Sequence, residues 1–171
     1  MARTVESTRE AAGSGALDAI DRKILRVVQE DATLSVTAVG DLVGLSSTPC
    51  WKRIRRMERD GYITRKVALV DPNKLGLKVS AFVMLQCEGH SEQALTLLSQ
   101  RIGELPEILE FYRMAGDIDY MLRVVLPDIG AFEAFRRRLA EAVPLKNLSV
   151  RFIDATLGQT TALPIALHRY A

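Results

Sequence analysis

Between Trp51 and Lys66 the chain carries Lys52, Arg53, Arg55, Arg56, Arg59, Arg65 and Lys66, opposed only by Glu58 and Asp60. Ser47 and Thr48 stand just upstream. These residue types suit the recognition of a polyanion. Guanidinium and ammonium groups neutralise phosphates, while Lys, Ser and Thr also hydrogen-bond to base edges. A run such as KRIRR is equally what a solvated helix face looks like. Its meaning therefore rests on the elements that hold it.

Those elements read as three short helices. The first begins at Asp18, with Asp18 and Asp21 at N-cap and N3 spacing, and Ile20, Ile24, Val27 and Val28 form its apolar face until about Glu30. The second starts after Ser35, buries Val36, Val39, Leu42 and Val43, and meets Gly44 where a left-handed cap belongs. Ser46 or Ser47 caps the third, Pro49 is tolerable only in its first turn, and Gly61 ends it after Asp60. At roughly 100° per residue, Cys50, Ile54 and Met57 share the core-facing stripe. Thr48, Lys52, Arg55 and Arg59 point away from it, and Arg53 and Arg56 flank it. A brace helix, a glycine turn and a cationic second helix are the parts of a helix-turn-helix. Ser47, Thr48 and Lys52 are then expected at base edges, with Arg55, Arg56 and Arg59 along the phosphates and Arg53 as a further DNA-binding residue. Tyr62–Thr64 and Val67–Val70 read as two short strands of a wing. Cys50 admits a redox reading as a thiol near arginines, but its place beside Ile54 and Met57 favours a small core residue.

The remaining residues have a different rhythm. Val79–Cys87 is a strand, and Ser91 opens a helix with Ala94, Leu95, Leu97, Leu98 and Ile102 apolar. Ile108–Met114 and Tyr120–Leu126 are strands joined by the Gly116–Asp119 turn. A second helix starts at Pro127-Asp128 and lines up Ile129, Phe132, Phe135 and Leu139. Pro144 ends it, and Leu148–Ile153 is the last strand. This βαββαβ order is the ferredoxin-like split unit, so the whole chain is α+β. Apolar residues on both sides of the first strand predict that the open sheet face pairs with another copy. The expected organisation is a flexible tail over 1–15, a winged helix-turn-helix over 16–66, a linker over 67–77, and an effector and oligomerisation domain over 78–171.

Composition bounds the function from outside. The chain has 171 residues, of which 48% are hydrophobic, with a net charge of +2. A substantial core is expected, and the basicity is local rather than global. Cys50 and Cys87 lie too far apart for a metal or redox motif, and His90 and His168 add none. No cofactor is expected. No apolar run approaches the roughly twenty residues of a membrane span, and the first residues lack a signal peptide's apolar core. A cytoplasmic, nucleoid-associated protein is expected. No nucleophile–base pair or nucleotide loop supports an enzyme.

The segments LDAIDRKIL (17–25), VGLSSTPCWKRIRRMERDGYI (43–63), AGDIDYMLRV (115–124) and TTALP (160–164) resemble the Lrp/AsnC family of transcriptional regulators. The match runs in order from about residue 16 to 165. TPCWKR, GYITRKVALVDPNKLGL and TTALP are most similar to its cysteine-responsive branch. The resemblance implies dimers that assemble into tetramers or octamers, and an amino-acid effector bound between subunits. By itself Gly116-Asp117-Ile118-Asp119 is either a plain hairpin turn or part of a pocket. The resemblance favours the pocket, with Asp117 or Asp119 meeting the effector's ammonium, the turn around Gly116 and Tyr120 meeting its carboxylate, and Thr160 and Thr161 supplied by a neighbour. The chain departs from the family at Val143-Pro144-Leu145-Lys146, which lacks the usual glycine after proline, and at Gly158-Gln159. Double-stranded DNA with an imperfect palindrome is the expected partner, because a two-fold dimer presents two recognition helices about one helical turn apart. An architectural protein that bends DNA with little sequence preference is the competing expectation.

Overall fold

A computed structural model describes residues 16–88, 92–142 and 144–166. The tail expected over 1–15, the helix opening at Ser91 and the side chains of Ala94, Leu95 and Leu97 lie outside the described residues. The chain divides into two compact units, one formed by residues 16–69 with 157–166 and the other by residues 70–156.

The first unit is built on α1 (Ala19–Glu30), α2 (Val36–Val43) and α3 (Ser47–Arg59). The boundaries follow from local chemistry. Asp18 and Asp21 form a reciprocal capping box, with Asp21 N–H donating to Asp18 Oδ1 at 2.7 Å and Asp18 N–H to Asp21 Oδ2 at 3.0 Å. Ser35 Oγ accepts from Ala38 N–H at 3.1 Å and starts α2. Gly44, at φ 76, closes it. Ser46 occupies the N-cap position of α3 without a side-chain cap bond, and Ser47 Oγ instead pairs with Thr37 Oγ1 at 2.9 Å. Ile24, Leu25, Val39, Val43, Cys50, Ile54 and Met57 form the core between the helices. Gly40 faces Leu45 so closely that a Cβ there would stand 2.6 Å from the Leu45 carbonyl oxygen.

Two expectations fail here for packing reasons. Leu42 is exposed, because the buried stripe of α2 is Val39, Gly40 and Val43, and Leu42 lies well round the helix from it. The two strands of the wing do not form among the described residues. Ile63 N–H donates to Met57 O at 3.1 Å and its side chain packs on the helical core, so Tyr62–Thr64 finishes α3. Residues 64–70 form no strand among the described residues, and Val67, Leu69 and Val70 are exposed.

Residues 157–166, expected in the second domain, belong to this first unit. Gln29 grips their backbone from both sides: Nε2 donates to Leu163 O at 2.8 Å, and Leu163 N–H donates to Oε1 at 2.9 Å. Arg22 Nη1 donates to Ala166 O at 3.3 Å, and Ile165 packs against the helical core. A shallow cleft of about 420 Å³ opens between α1 and this segment, lined by Arg26, Gln29, Glu30 and residues 162–166.

The second unit is an antiparallel sheet ordered β2-β3-β1-β4, with β1 (Val79–Cys87), β2 (Ile108–Arg113), β3 (Tyr120–Leu126) and β4 (Leu145–Phe152), and with α4 (Glu92–Gly103) and α5 (Gly130–Ala142). Alternate strand residues Ala81, Val83, Leu85, Leu122 and Val124 join Leu98, Ile102, Phe132, Phe135 and Leu139 in the core. The other face carries Phe82, Met84, Met121 and Val125, outside that core; Met84 pairs with Met121 across the strands. Beside them Arg123 Nη2 meets Glu110 Oε1 at 2.8 Å, and Tyr112 Oη donates to Glu110 Oε2 at 2.9 Å. α5 begins two residues after Asp128, whose Oδ1 accepts from Ala131 N–H at 2.8 Å. Ile129 therefore precedes the helix and is exposed instead of joining Phe132 and Phe135. β4 starts at Leu145, earlier than its alternation indicates, because it continues pairing with β1 through a register shift at Gln86/Cys87.

Candidate nucleic-acid interface and effector turn

The core anchors α3 through one stripe. Cys50 and Met57 are fully buried and Ile54 is 6% exposed. Because that stripe is fixed, the opposite side of the helix is fixed too. Ser47, Thr48, Lys52, Arg55 and Arg59 are all exposed, as the helical geometry predicts. Lys52 makes no ion pair among the described residues. Arg55 donates to Glu58 at 3.0 Å and Arg59 to Asp60 at 2.9 Å, with both guanidiniums largely exposed. Such exposed pairs contribute little and exchange readily for a phosphate. Glu58 also meets Lys66 at 3.1 Å; that contact, with Arg55, holds its carboxyl below the ordinary glutamate value.

Arg53 and Arg56 do different work. Arg53 Nη1 donates to Asp18 Oδ2 at 2.6 Å and to Asp21 Oδ1 at 2.8 Å, and Arg56 Nη2 donates to Asp21 Oδ2. Asp21 is fully buried. One carboxylate at the start of α1 thus takes two cations from α3 and fixes the angle between the helices. Both arginines lie on the flanks of the helix, where DNA contacts were expected of them. A signal for the brace was present: Asp21 lies in line with Ile24, Leu25 and Val28 on the core side of α1, where a charge needs a partner.

In the second unit, Gly116 has φ 129, a region a side chain rarely enters, and it turns the chain from β2 toward β3. The turn is tied to β1. Asp119 N–H donates to Leu85 O at 2.9 Å, Asp119 Oδ2 accepts from Cys87 N–H at 2.8 Å, and Gln86 Nε2 donates to Asp117 O at 2.5 Å. Asp117 is exposed, whereas Tyr120 is buried and stacks at 5.4 Å on Phe111. Thr160 and Thr161 are exposed and fall in the other unit, where Thr160 Oγ1 accepts from Ala162 N–H at 3.0 Å. None of these residues lines the cleft beside α1. Both cysteines are buried, and burial pushes the Cys50 and Cys87 thiols up, the latter helped by the Asp119 charge. That is the environment of inert core thiols.

A cationic helix held on a helical brace, followed by a ferredoxin-like domain, defines a DNA-binding regulator with a second, ligand-binding module. The comparisons with known proteins agree. Residues 17–64 match the family model for winged helix-turn-helix DNA-binding, and residues 80–163 match that for the Lrp/AsnC ligand binding domain. The DNA-binding transcriptional activator DecR of Escherichia coli K12 is 43% identical over 87% of this chain and 99% of its own length. An AsnC family transcriptional regulator from Agrobacterium tumefaciens superimposes with a TM-score of 0.83 at 49% identity, covering 86% of this chain and 97% of that one. A transcriptional regulator from Neisseria meningitidis, solved in complex with L-methionine, gives a TM-score of 0.83 at 28% identity, covering 87% and 97%. The chain belongs to the Lrp/AsnC family of transcriptional regulators.

Proposed function

We propose that this regulator binds a specific, imperfectly palindromic duplex through the outward face of α3, and that a small amino acid bound at a subunit interface modulates the binding. The observation that carries the DNA reading is the pairing of opposite faces on one helix. Cys50, Ile54 and Met57 are locked in the core, so Thr48, Lys52, Arg55 and Arg59 are presented together. Ser47 stands at the entrance of that face. Arg53 and Arg56 act from behind it as the brace. Two-fold pairing through the open sheet face, where Phe82, Met84 and Met121 are half-buried, presents two such helices to one DNA. Dimers then associate further into tetramers or octamers.

For the effector, the relative solved with L-methionine supports an amino acid as the ligand class. Cysteine is the first candidate, on the resemblance of TPCWKR and TTALP to the cysteine-responsive branch. Asp117 is the carboxylate free to meet the ammonium, while Gly116, Asp119 and Tyr120 shape the turn. Thr160 and Thr161 contribute from a neighbouring subunit. Selection of duplexes from a random pool tests the DNA reading: strong enrichment over random DNA is expected, and uniform affinity would favour an architectural role. Thermal-shift measurements with each of the twenty amino acids, then DNA titrations with every hit, test the effector reading. Asp117→Ala is expected to weaken the effector about tenfold or more without lowering the melting temperature. Asp119→Ala is expected to lower the melting temperature itself, because it frees the Cys87 N–H. An unchanged ligand response in Asp117→Ala would remove that residue from the site.

A further inference from the structure

Trp51 sits on α3 three residues after Thr48 and four before Arg55, so it shares the exposed face with Thr48, Lys52, Arg55 and Arg59. It is 48% exposed and is not among the buried residues of the helical core. Leaving about half of so large an apolar ring in water is unfavourable. The Arg55 guanidinium lies 5.8 Å from the centre of the indole, Glu58 accepts from Arg55 at 3.0 Å, and Lys66 meets Glu58 at 3.1 Å. The result is a half-exposed apolar surface inside a cationic frame.

The surrounding cations select an anionic partner, and the proposed function makes that partner duplex DNA. In the major groove the principal apolar group on any base edge is the thymine C5-methyl. We propose that Trp51 is a specificity-determining residue that packs against a thymine methyl in each half-site. This assignment rests on the DNA reading of α3 and deepens it. Lys52, Arg55 and Arg59 supply affinity from the phosphates and polar edges, while Trp51 distinguishes thymine from cytosine, which lacks the methyl.

The chain has a single tryptophan, so its fluorescence reports the contact directly. The test uses the full-length protein and a duplex it has itself selected from a random pool. Each thymine is replaced in turn by deoxyuridine, which removes only the methyl. At one thymine per half-site the wild type is expected to lose about fourfold in affinity, the scale of one buried methyl, and the same DNA is expected to change Trp51 emission on binding. Trp51→Ala is expected to be indifferent to that replacement, and Trp51→Phe to keep part of the sensitivity. Thermal melts of both variants confirm that they fold. The proposal falls if uridine has equal effects on the wild type and Trp51→Ala, or if selected duplexes show no fixed thymine. A protein that binds these duplexes with normal salt sensitivity yet ignores the methyl overturns the Trp51 assignment alone. A protein that enriches no duplex overturns the DNA reading beneath it.

Discussion

Asp21→Ala lowers the stability of the helical unit by about 2–4 kcal/mol. Removing the carboxylate deletes charge-assisted bonds to Arg53 and Arg56, each of a kind worth about 1.5–3 kcal/mol, and half of the capping box, a further ~1 kcal/mol. The loss stays below the sum because the two guanidiniums, 28% and 36% exposed, turn back into water. Asp18 reinforces the same corner. Partial burial pushes its carboxyl up, but hydrogen bonds from Asp21 N–H and Arg53 prevail and hold it below the ordinary aspartate value. A lowered folded value means that the contribution is present above the unfolded pKa of about 3.9 and fades as pH falls through the folded one. Denaturant unfolding followed by Trp51 fluorescence checks the prediction. A shift below about 0.5 kcal/mol, ordinary for a surface change, would show that the brace carries no weight.

Gly40→Ala decides between two opposing effects. Helix propensity favours alanine by about 1 kcal/mol. Contact geometry opposes it, since the new Cβ would lie 2.6 Å from the Leu45 carbonyl oxygen and 3.7 Å from the Cys50 Cβ. The backbone oxygen cannot rotate away like a flexible side chain, and Leu45 N–H is itself bonded to Gly40 O at 2.9 Å. The α2–α3 turn must open, at a strain of about 1–3 kcal/mol. The expected result is a net destabilisation of up to about 2 kcal/mol together with a drop in DNA affinity, because the displaced element is the recognition helix. A variant more stable than the wild type would mean that the turn yields freely.

Local chemistry was the part most legible in the sequence. The capping box at Asp18 and Asp21, the cap at Ser35, the left-handed Gly44 and the stripe of Cys50, Ile54 and Met57 all act within a few residues, and periodicity reveals them. The antiparallel βαββαβ order was readable for the same reason. Contacts between distant segments were not. Which carboxylate takes Arg53 and Arg56 depends on a residue more than thirty positions away. Residues 157–166 return to α1 through backbone bonds to Gln29, which no side-chain pattern announces. Asp119 looks like a ligand group in sequence, yet its carboxylate is engaged with a strand N–H that only the sheet brings near. Leu42 and Ile129 have the right chemistry for a core, but the packing of their neighbours leaves them outside it.

In the proposed function, the outward face of α3 meets DNA phosphates. Titration of a selected, labelled duplex from about 50 to 200 mM salt tests it most directly, because each phosphate contact adds about 0.9 to the steepness of log affinity against log salt. Lys52→Ala combined with Arg59→Ala is expected to weaken binding and to flatten the slope by about 0.9 per contact removed. Arg136→Ala, which removes an exposed cation paired with Glu133 on α5, is expected to leave the slope unchanged. An unaltered slope in the α3 double variant, or equal flattening by Arg136→Ala, would contradict the account.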